Sequence, residues 1–339
     1  MVWLPKAVSG VKEPSTTLFK LLAAVFIFSM FMGCGSKSEK RYKQGMIYLN
    51  RAKYDDAMTQ FQEALKANPK FAKAHHGLGQ VYLAQGRFDD ALAEYEKAVE
   101  LDAGFVDARI GLATAYLRKG DSAKAISVCK EAINIAPQDA RIYNVLGGIY
   151  AARREFDKAL EEVKKAILAD PKYIPSYLNL GDYYSARRQF DKAQEQYRTI
   201  LGIDPKNVDA HWRLADIYNL QGDLSKMEAE YKAILEINPK HGEAHVALGG
   251  VYARQNKLQQ AITEFETALE ISPNYLPIYL SLGELYNKTD QYDKTIATCD
   301  KIKRFFMPQE ELAKAGPQTK RVDQTIREFC YTTSGIAYY

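Results

Sequence analysis

The pentapeptide Leu78-Gly79-Gln80-Val81-Tyr82 is one instance of a register that governs most of the chain. A small residue followed three positions later by tyrosine recurs at one fixed interval: Gly45/Tyr48, Gly79/Tyr82, Ala113/Tyr116, Gly147/Tyr150, Gly181/Tyr184, Ala215/Tyr218, Gly249/Tyr252 and Gly283/Tyr286, each pair thirty-four positions after the last. Eight unbroken periods define stacked units, each able to bury its apolar face only against its neighbours. A chain of 339 residues is therefore expected to form one elongated domain, where length alone suggests two or three globular ones.

Composition removes some classes of activity. The formal net charge is +4; the stretch up to Gly33 supplies +2 of it (Lys6, Lys12 and Lys20 against Glu13), leaving +2 for the rest. Counterion-release binding of nucleic acid needs clustered Lys and Arg, so a nearly neutral body with interspersed signs argues against it. Cys34, Cys129, Cys299 and Cys330 show neither zinc spacing nor a CxxC pair, and no disulfide framework is indicated.

Two further columns complete the register. Alanine stands nine positions after the tyrosine at Ala57, Ala91, Ala125, Ala159, Ala193 and Ala261, with Met227 and Thr295 as exceptions. Proline closes the unit at Pro69, Pro137, Pro171, Pro205, Pro239 and Pro273, with Ala103 and Met307 in its place elsewhere. Within a first helix, leucine and tyrosine at i and i+4 share a face, and the small residue lets a neighbouring helix approach. Gly86, Gly120 and Gly222 mark turns, and pairs such as Asn68-Pro69 and Asp170-Pro171 stop the second helix, because the residue before proline is biased out of the helical region.

This register resembles the tetratricopeptide repeat. The resemblance implies an all-α fold: a right-handed α-solenoid of eight helix-turn-helix repeats over residues 38–309, each a helix A and a helix B. Residues 310–339 follow as C-terminal cap and tail, with a short helix at 309–315 and a capping helix near 318–331 that carries Val322, Ile326 and Cys330 as an apolar stripe. Cys129 and Cys299 occupy the helix B slot filled elsewhere by Phe61, Tyr95, Val163, Tyr197, Tyr231 and Phe265, and are expected to be small buried hydrophobes.

Ahead of the repeats, residues 21–33 form an uncharged, largely apolar run of 13. A membrane span needs about 20 such residues, so the run suits the core of an export signal. Phe31-Met32-Gly33-Cys34-Gly35-Ser36 resembles the bacterial lipobox, in which the signal is cut before a lipid-bearing cysteine. The resemblance implies a signal peptide at 1–33, lipidation of Cys34, a tether at 34–37 and attachment to the cell envelope. Gly35 is not the aspartate of inner-membrane retention, which favours the periplasmic face of the outer membrane in a Gram-negative cell. The alternative is an uncleaved signal anchor with an incidental cysteine.

No catalytic constellation is found, and neither an enzyme, a cofactor nor a small-molecule substrate is expected. His211, His241 and His245 can be sketched as a metal site, but His211 and His245 fill the slot held by His75, Arg109, Tyr143, Tyr177 and Tyr279 in other repeats, which makes a structural role the expectation. In the family, the second, fifth, ninth, twelfth and thirteenth positions of helix A line a concave groove. The residues that this implies for partner binding are Arg141, Asn144, Leu178, Asp182, Asp209, Trp212, Asp216, Asn219, Val246 and Arg254. Trp212 is the expected anchor, its alternative being packing against a neighbouring repeat. Asp182, Asp209 and Asp216 suggest a basic partner segment or else a solvated face. The chaperone-tail clamp of some relatives needs lysine in the fifth slot and asparagine in the ninth, and neither occurs. The expected function is a lipid-anchored scaffold holding a peptide or helix of a protein partner, in pilus, secretin or envelope-complex assembly. An accessory subunit of an exopolysaccharide or protein-sorting system, or the positioning subunit of an envelope enzyme complex, is the alternative.

Overall fold

The computed structural model describes residues 37–303, 311 and 314–334. The expected signal segment, Cys34, most of the expected helix at 309–315 and the side chains of Val322 and Ile326 lie outside the described residues. Everything regular among the described residues is helical, and none of these helices is long and apolar enough to cross a membrane. The chain divides into two compact units, residues 1–176 and 177–339.

The first unit contains α1 (37–50), α2 (Tyr54–Ala67), α3 (Ala72–Ala84), α4 (Phe88–Leu101), α5 (Val106–Lys119), α6 (Ser122–Ile135), α7 (Ala140–Ala152) and α8 (Phe156–Ala169). The second takes most of α9 (Ile174–Ala186), then α10 (Phe190–Ile203), α11 (Val208–Gln221), α12 (Leu224–Ile237), α13 (Gly242–Arg254), α14 (Leu258–Ile271), α15 (Leu276–Lys288), α16 (Tyr292–Lys303) and α17 (Pro317–Ser334). Odd-numbered helices up to α15 are helix A of each repeat and even-numbered ones helix B. From α2 to α8 and from α10 to α16 each helix packs on the next, and α3 also meets α5 as α5 meets α7.

Three devices repeat with the period. The first is the turn between helices A and B, where one residue per repeat adopts positive φ: Ala52, Gly86, Gly120, Arg154, Arg188, Gly222, Asn256 and Asp290, each one period after the last. Only three are glycine, so five repeats hold a side chain in the left-handed region, which costs roughly 1–2 kcal/mol per residue for an L-amino acid. The second is the end of helix B. Asn68, Asp102, Asp170, Asp204 and Asn238 are extended, with φ between -143° and -133°, and each Oδ1 accepts the backbone N–H two residues on at 2.9–3.1 Å. This Asx turn halts the helix through the side chain. Asp102 does so with Ala103 behind it, so the proline that the sequence singled out is an accessory.

The third device is the core. Phe61 and Tyr95 on helix B are 0% and 1% exposed, and each ring lies between two glycines. A Cβ on Gly45 or Gly77 would come within 2.6 Å of the Phe61 ring; one on Gly79 would come within 2.7 Å of Tyr95 and one on Gly111 within 2.5 Å. Gly181 faces Tyr197 in the same way. The small residue of the period thus makes room for an aromatic ring, where the sequence suggested room for a helix. In repeat 3, Ala113 accompanies Cys129, which is 2% exposed and inert: burial pushes its thiol up to about 12. The capping helix α17 packs on α15 and α16, placing Phe329 against Gly283 and Cys330, fully buried, beside Cys299.

Candidate functional site

Within each unit, helix A residues of successive repeats converge on one face. In the first unit a cleft of about 950 Å³ is lined from α1, α3, α5 and α7 by Met46, Leu49, His76, Leu83, Asp107, Ile110, Thr114, Arg118 and Arg141, among others. Its floor is apolar and its polar groups are partly committed. Arg141 donates to Asp107 at 2.7 Å and to Asp139 at 2.6 Å, and this pairing holds the Asp139 carboxyl below its usual range. His76 Nδ1 and Gln80 Oε1 are buried without a hydrogen-bond partner among the described residues. Desolvation drives the His76 imidazole below its ordinary pKa, only partly offset by Asp107, so it is neutral. Asn144, half-buried on the next turn of α7, accepts from Ser176 Oγ at 3.4 Å.

In the second unit a cleft of about 450 Å³ is lined by Trp212 of α11, Gly242, Glu243, Val246 and Ala247 of α13, Ala268 of α14, Ser272, and Tyr275 and Ile278 at the start of α15. Trp212 is both packed and open. Its ring meets Tyr231 edge-on at 5.3 Å and 65° and stacks on His241 at 5.9 Å and 27°, yet it remains half-buried at the cleft. The packing is thus within its own repeat, where the sequence suggested a neighbouring one, and a large ring still leaves part of its surface facing the cleft.

The three aspartates separate. Asp182 is engaged: Tyr197 donates its hydroxyl at 2.7 Å and Arg213 pairs with it at 3.2 Å. Asp209 and Asp216 are exposed on α11, one turn to either side of Trp212. The Asp216 carboxyl is raised above its usual pKa by desolvation and by the Asp182 charge, against the pull of Arg213. Arg254 donates to Asn219 at 2.7 Å, and Leu178 is half-buried on α9. Glu243 and Tyr275 join Trp212 at the second cleft although they were not singled out. Glu243 sits in the second slot of its repeat and was legible; Tyr275 precedes helix A and carries no signal in the register.

The histidine trio serves as internal bracing. His211 Nδ1 bonds Glu230 at 2.7 Å, and His245 bonds Glu264 at 2.6 Å and the Pro239 carbonyl at 3.0 Å. His75 does the same with Glu94 and Pro69, while Tyr143 and Tyr279 donate to the Pro137 and Pro273 carbonyls at 2.9 Å. The shared slot ties helix A to the turn before it and, as histidine, to its own helix B. His241 Nδ1 accepts the Ala244 N–H as an N-cap. No group of three metal-capable side chains occurs among the described residues. Arg153 pairs with Glu155 at 2.6 Å and Arg187 lies over the Tyr183 ring at 4.7 Å, so these turn arginines have local partners.

Three models described as tetratricopeptide or TPR repeats match the chain, at residues 82–149 and 119–182, 42–105 and 178–241, and 249–290. No curated protein matches. Among solved structures, yeast Tom70 aligns at 17% identity over 88% of this chain and 64% of its own, with a TM-score of 0.58. PilW, a type IV pilus biogenesis factor, aligns at 18% identity over 63% and 97%, with a TM-score of 0.51. A TPR protein of Thermus thermophilus aligns at 27% identity over 53% and 98%, with a TM-score of 0.49. With the register, the helix pairs and the matched models all covering the same stretch, this chain belongs to the tetratricopeptide repeat family.

Proposed function

We propose that this protein is a scaffold that holds a segment of a protein partner along its helix A face and is fixed to the cell envelope through lipid on Cys34. The observation that carries the first part is the convergence of helix A slots from successive repeats on shared clefts with apolar floors and sparse polar groups. Such a surface supplies apolar anchoring and polar register to a peptide or helix. Tetratricopeptide proteins are generally scaffolds without enzymatic activity. PilW is described as a pilus biogenesis factor, which keeps assembly of a pilus or another envelope machine as the process to test first. The anchor rests on the lipobox resemblance around Cys34 and on an apolar run too short to span a bilayer.

Capture from solubilised membranes tests the groove. Ile110→Glu, which puts a charge on the cleft floor, is expected to abolish recovery of a partner that both the unchanged chain and the outer-face variant Lys130→Glu retain. Equal recovery by all three would refute the groove. Labelled palmitate is expected in the unchanged protein and absent from Cys34→Ser; label that survives the substitution removes the anchor.

A further inference from the structure

The cleft around Trp212 differs from the rest of the helix A surface in what it lacks. Among the described residues that line it, Glu243 is the only charged one and none is basic. Glu243 is exposed in the first turn of α13. Tyr275, across the cleft, is 48% exposed, an unusually open position for a large aromatic. Trp212 cannot swing away, because Tyr231 and His241 hold its ring from two sides. Along α11, Asp209 and Asp216 flank Trp212 at i−3 and i+4 and so share its face; both are exposed and neither forms an ion pair among the described residues.

We propose that this cleft receives an arginine side chain of a basic segment in the protein partner. The inference rests on the scaffold reading above and names the chemistry of its occupant. A guanidinium is planar and weakly hydrated, so it stacks on the Trp212 and Tyr275 rings, where a strongly hydrated ammonium gains less. Its charge meets the Glu243 carboxylate, and its aliphatic stem covers Val246 and Ala247. Asp209 and Asp216 attract further basic residues of the same segment. An acidic side chain meets like charge at each of these points. Asp182 takes no part, because Tyr197 and Arg213 already occupy it.

The chain has two tryptophans, Trp3 and Trp212; Trp3 lies in the segment read as the cleaved signal, so Trp212 is the sole indole reporter of the processed protein, and Trp3→Phe keeps it so in any unprocessed chain. Fluorescence of that protein is titrated with acetyl-Gly-Arg-Gly-amide and with the same peptide carrying citrulline, which keeps the shape and loses the charge. The arginine peptide is expected to perturb Trp212 saturably, at least about fivefold more tightly than the citrulline peptide, on the scale of an exposed cation–π contact combined with an ion pair. Glu243→Gln is expected to erase most of that difference without altering the citrulline curve. Equal affinity for the two peptides, a difference that survives Glu243→Gln, or no response to arginine overturns the proposal. If partner capture still depends on Ile110 while the titration fails, the cleft assignment falls and the scaffold stands; loss of capture dependence removes the scaffold reading first.

Discussion

Arg109 occupies the bracing slot of repeat 3, yet it has nothing to brace against. Arg109 is 8% exposed, and its Nε and Nη1 have no hydrogen-bond partner among the described residues. In the repeats where the slot is histidine, a glutamate on the following helix B answers it: Glu94 for His75, Glu230 for His211 and Glu264 for His245. The residue at the same spacing after Arg109 is Val128, itself 8% exposed. Val128→Glu should therefore supply the missing carboxylate, although it places an acid in a core. Removing the buried valine costs about 1.5–3 kcal/mol. Pairing the guanidinium returns roughly 1.5–3 kcal/mol for a charged hydrogen bond and relieves a desolvation penalty of about 1–3 kcal/mol. These ranges combine to between roughly neutral and about 4 kcal/mol stabilising, and desolvation of the new carboxylate takes back part of the upper end, leaving an expectation from neutral to about 2 kcal/mol stabilising. In an Arg109→Met background the same glutamate has no partner and should destabilise by about 3–5 kcal/mol. Urea unfolding of the four proteins of this cycle, followed by far-ultraviolet circular dichroism, reads the coupling, which should exceed about 3 kcal/mol. A coupling below about 0.5 kcal/mol would show that Arg109 already has what it needs and would refute the reasoning.

Other expectations follow from the repeated devices. Gly79→Ala puts a Cβ against the Tyr95 ring and should lower stability by about 1–3 kcal/mol through overpacking; Tyr95→Val in the same chain should recover part of the loss in thermal melts. Arg188→Gly should stabilise by about 0.5–1 kcal/mol by relieving the left-handed turn, and Gly120→Ala at the equivalent turn should cost about 1 kcal/mol or more. His211 has its pKa raised above 6.5, chiefly by the Glu230 bond. Its contribution is therefore complete below pH 6.5 and lost as pH rises through the folded value, so the urea midpoint should fall as pH rises above about 6.5 by an amount that His211→Gln removes, under about 1 kcal/mol. Glu228, held at about 2 chiefly by Lys232 and further by Lys257, works in the opposite sense: its contribution is present above pH 4.5 and lost on acidification towards pH 2, and Glu228→Gln should flatten that limb.

Much of this architecture was legible because a period constrains every copy at once. Leu78, Gly79 and Tyr82 announce a helix face, and α3 begins at Ala72 and α5 at Val106, each opening a period. What the register hides is contact across it. Gly77 follows Phe61 at the same spacing as Gly111 follows Tyr95, and that spacing means nothing until the ring is seen to cross from one repeat into the next. Pro69 drew attention that belonged to Asn68, because proline is conspicuous in a sequence and an Asx hydrogen bond is not. Asp182 reads like Asp216 in the register, and only folding brings Tyr197 and Arg213 to one and leaves the other open. Trp212 was identifiable by type, but the company of Tyr275, nearly two repeats further along the chain, was not.

The interlock of one ring between two glycines changes what counts as a module. Excising residues 72–105 would join the first repeat to the third and present Phe61 with Gly111 where Gly77 had been, so the seam would close. Excising 106–139 is the same edit one period later, yet it would present Tyr95 with Val145, whose branched side chain would stand where the ring has to go. Two cuts of equal length at equivalent points thus have opposite prospects, and the repeat that looks interchangeable in the alignment of its own copies is matched to its successor.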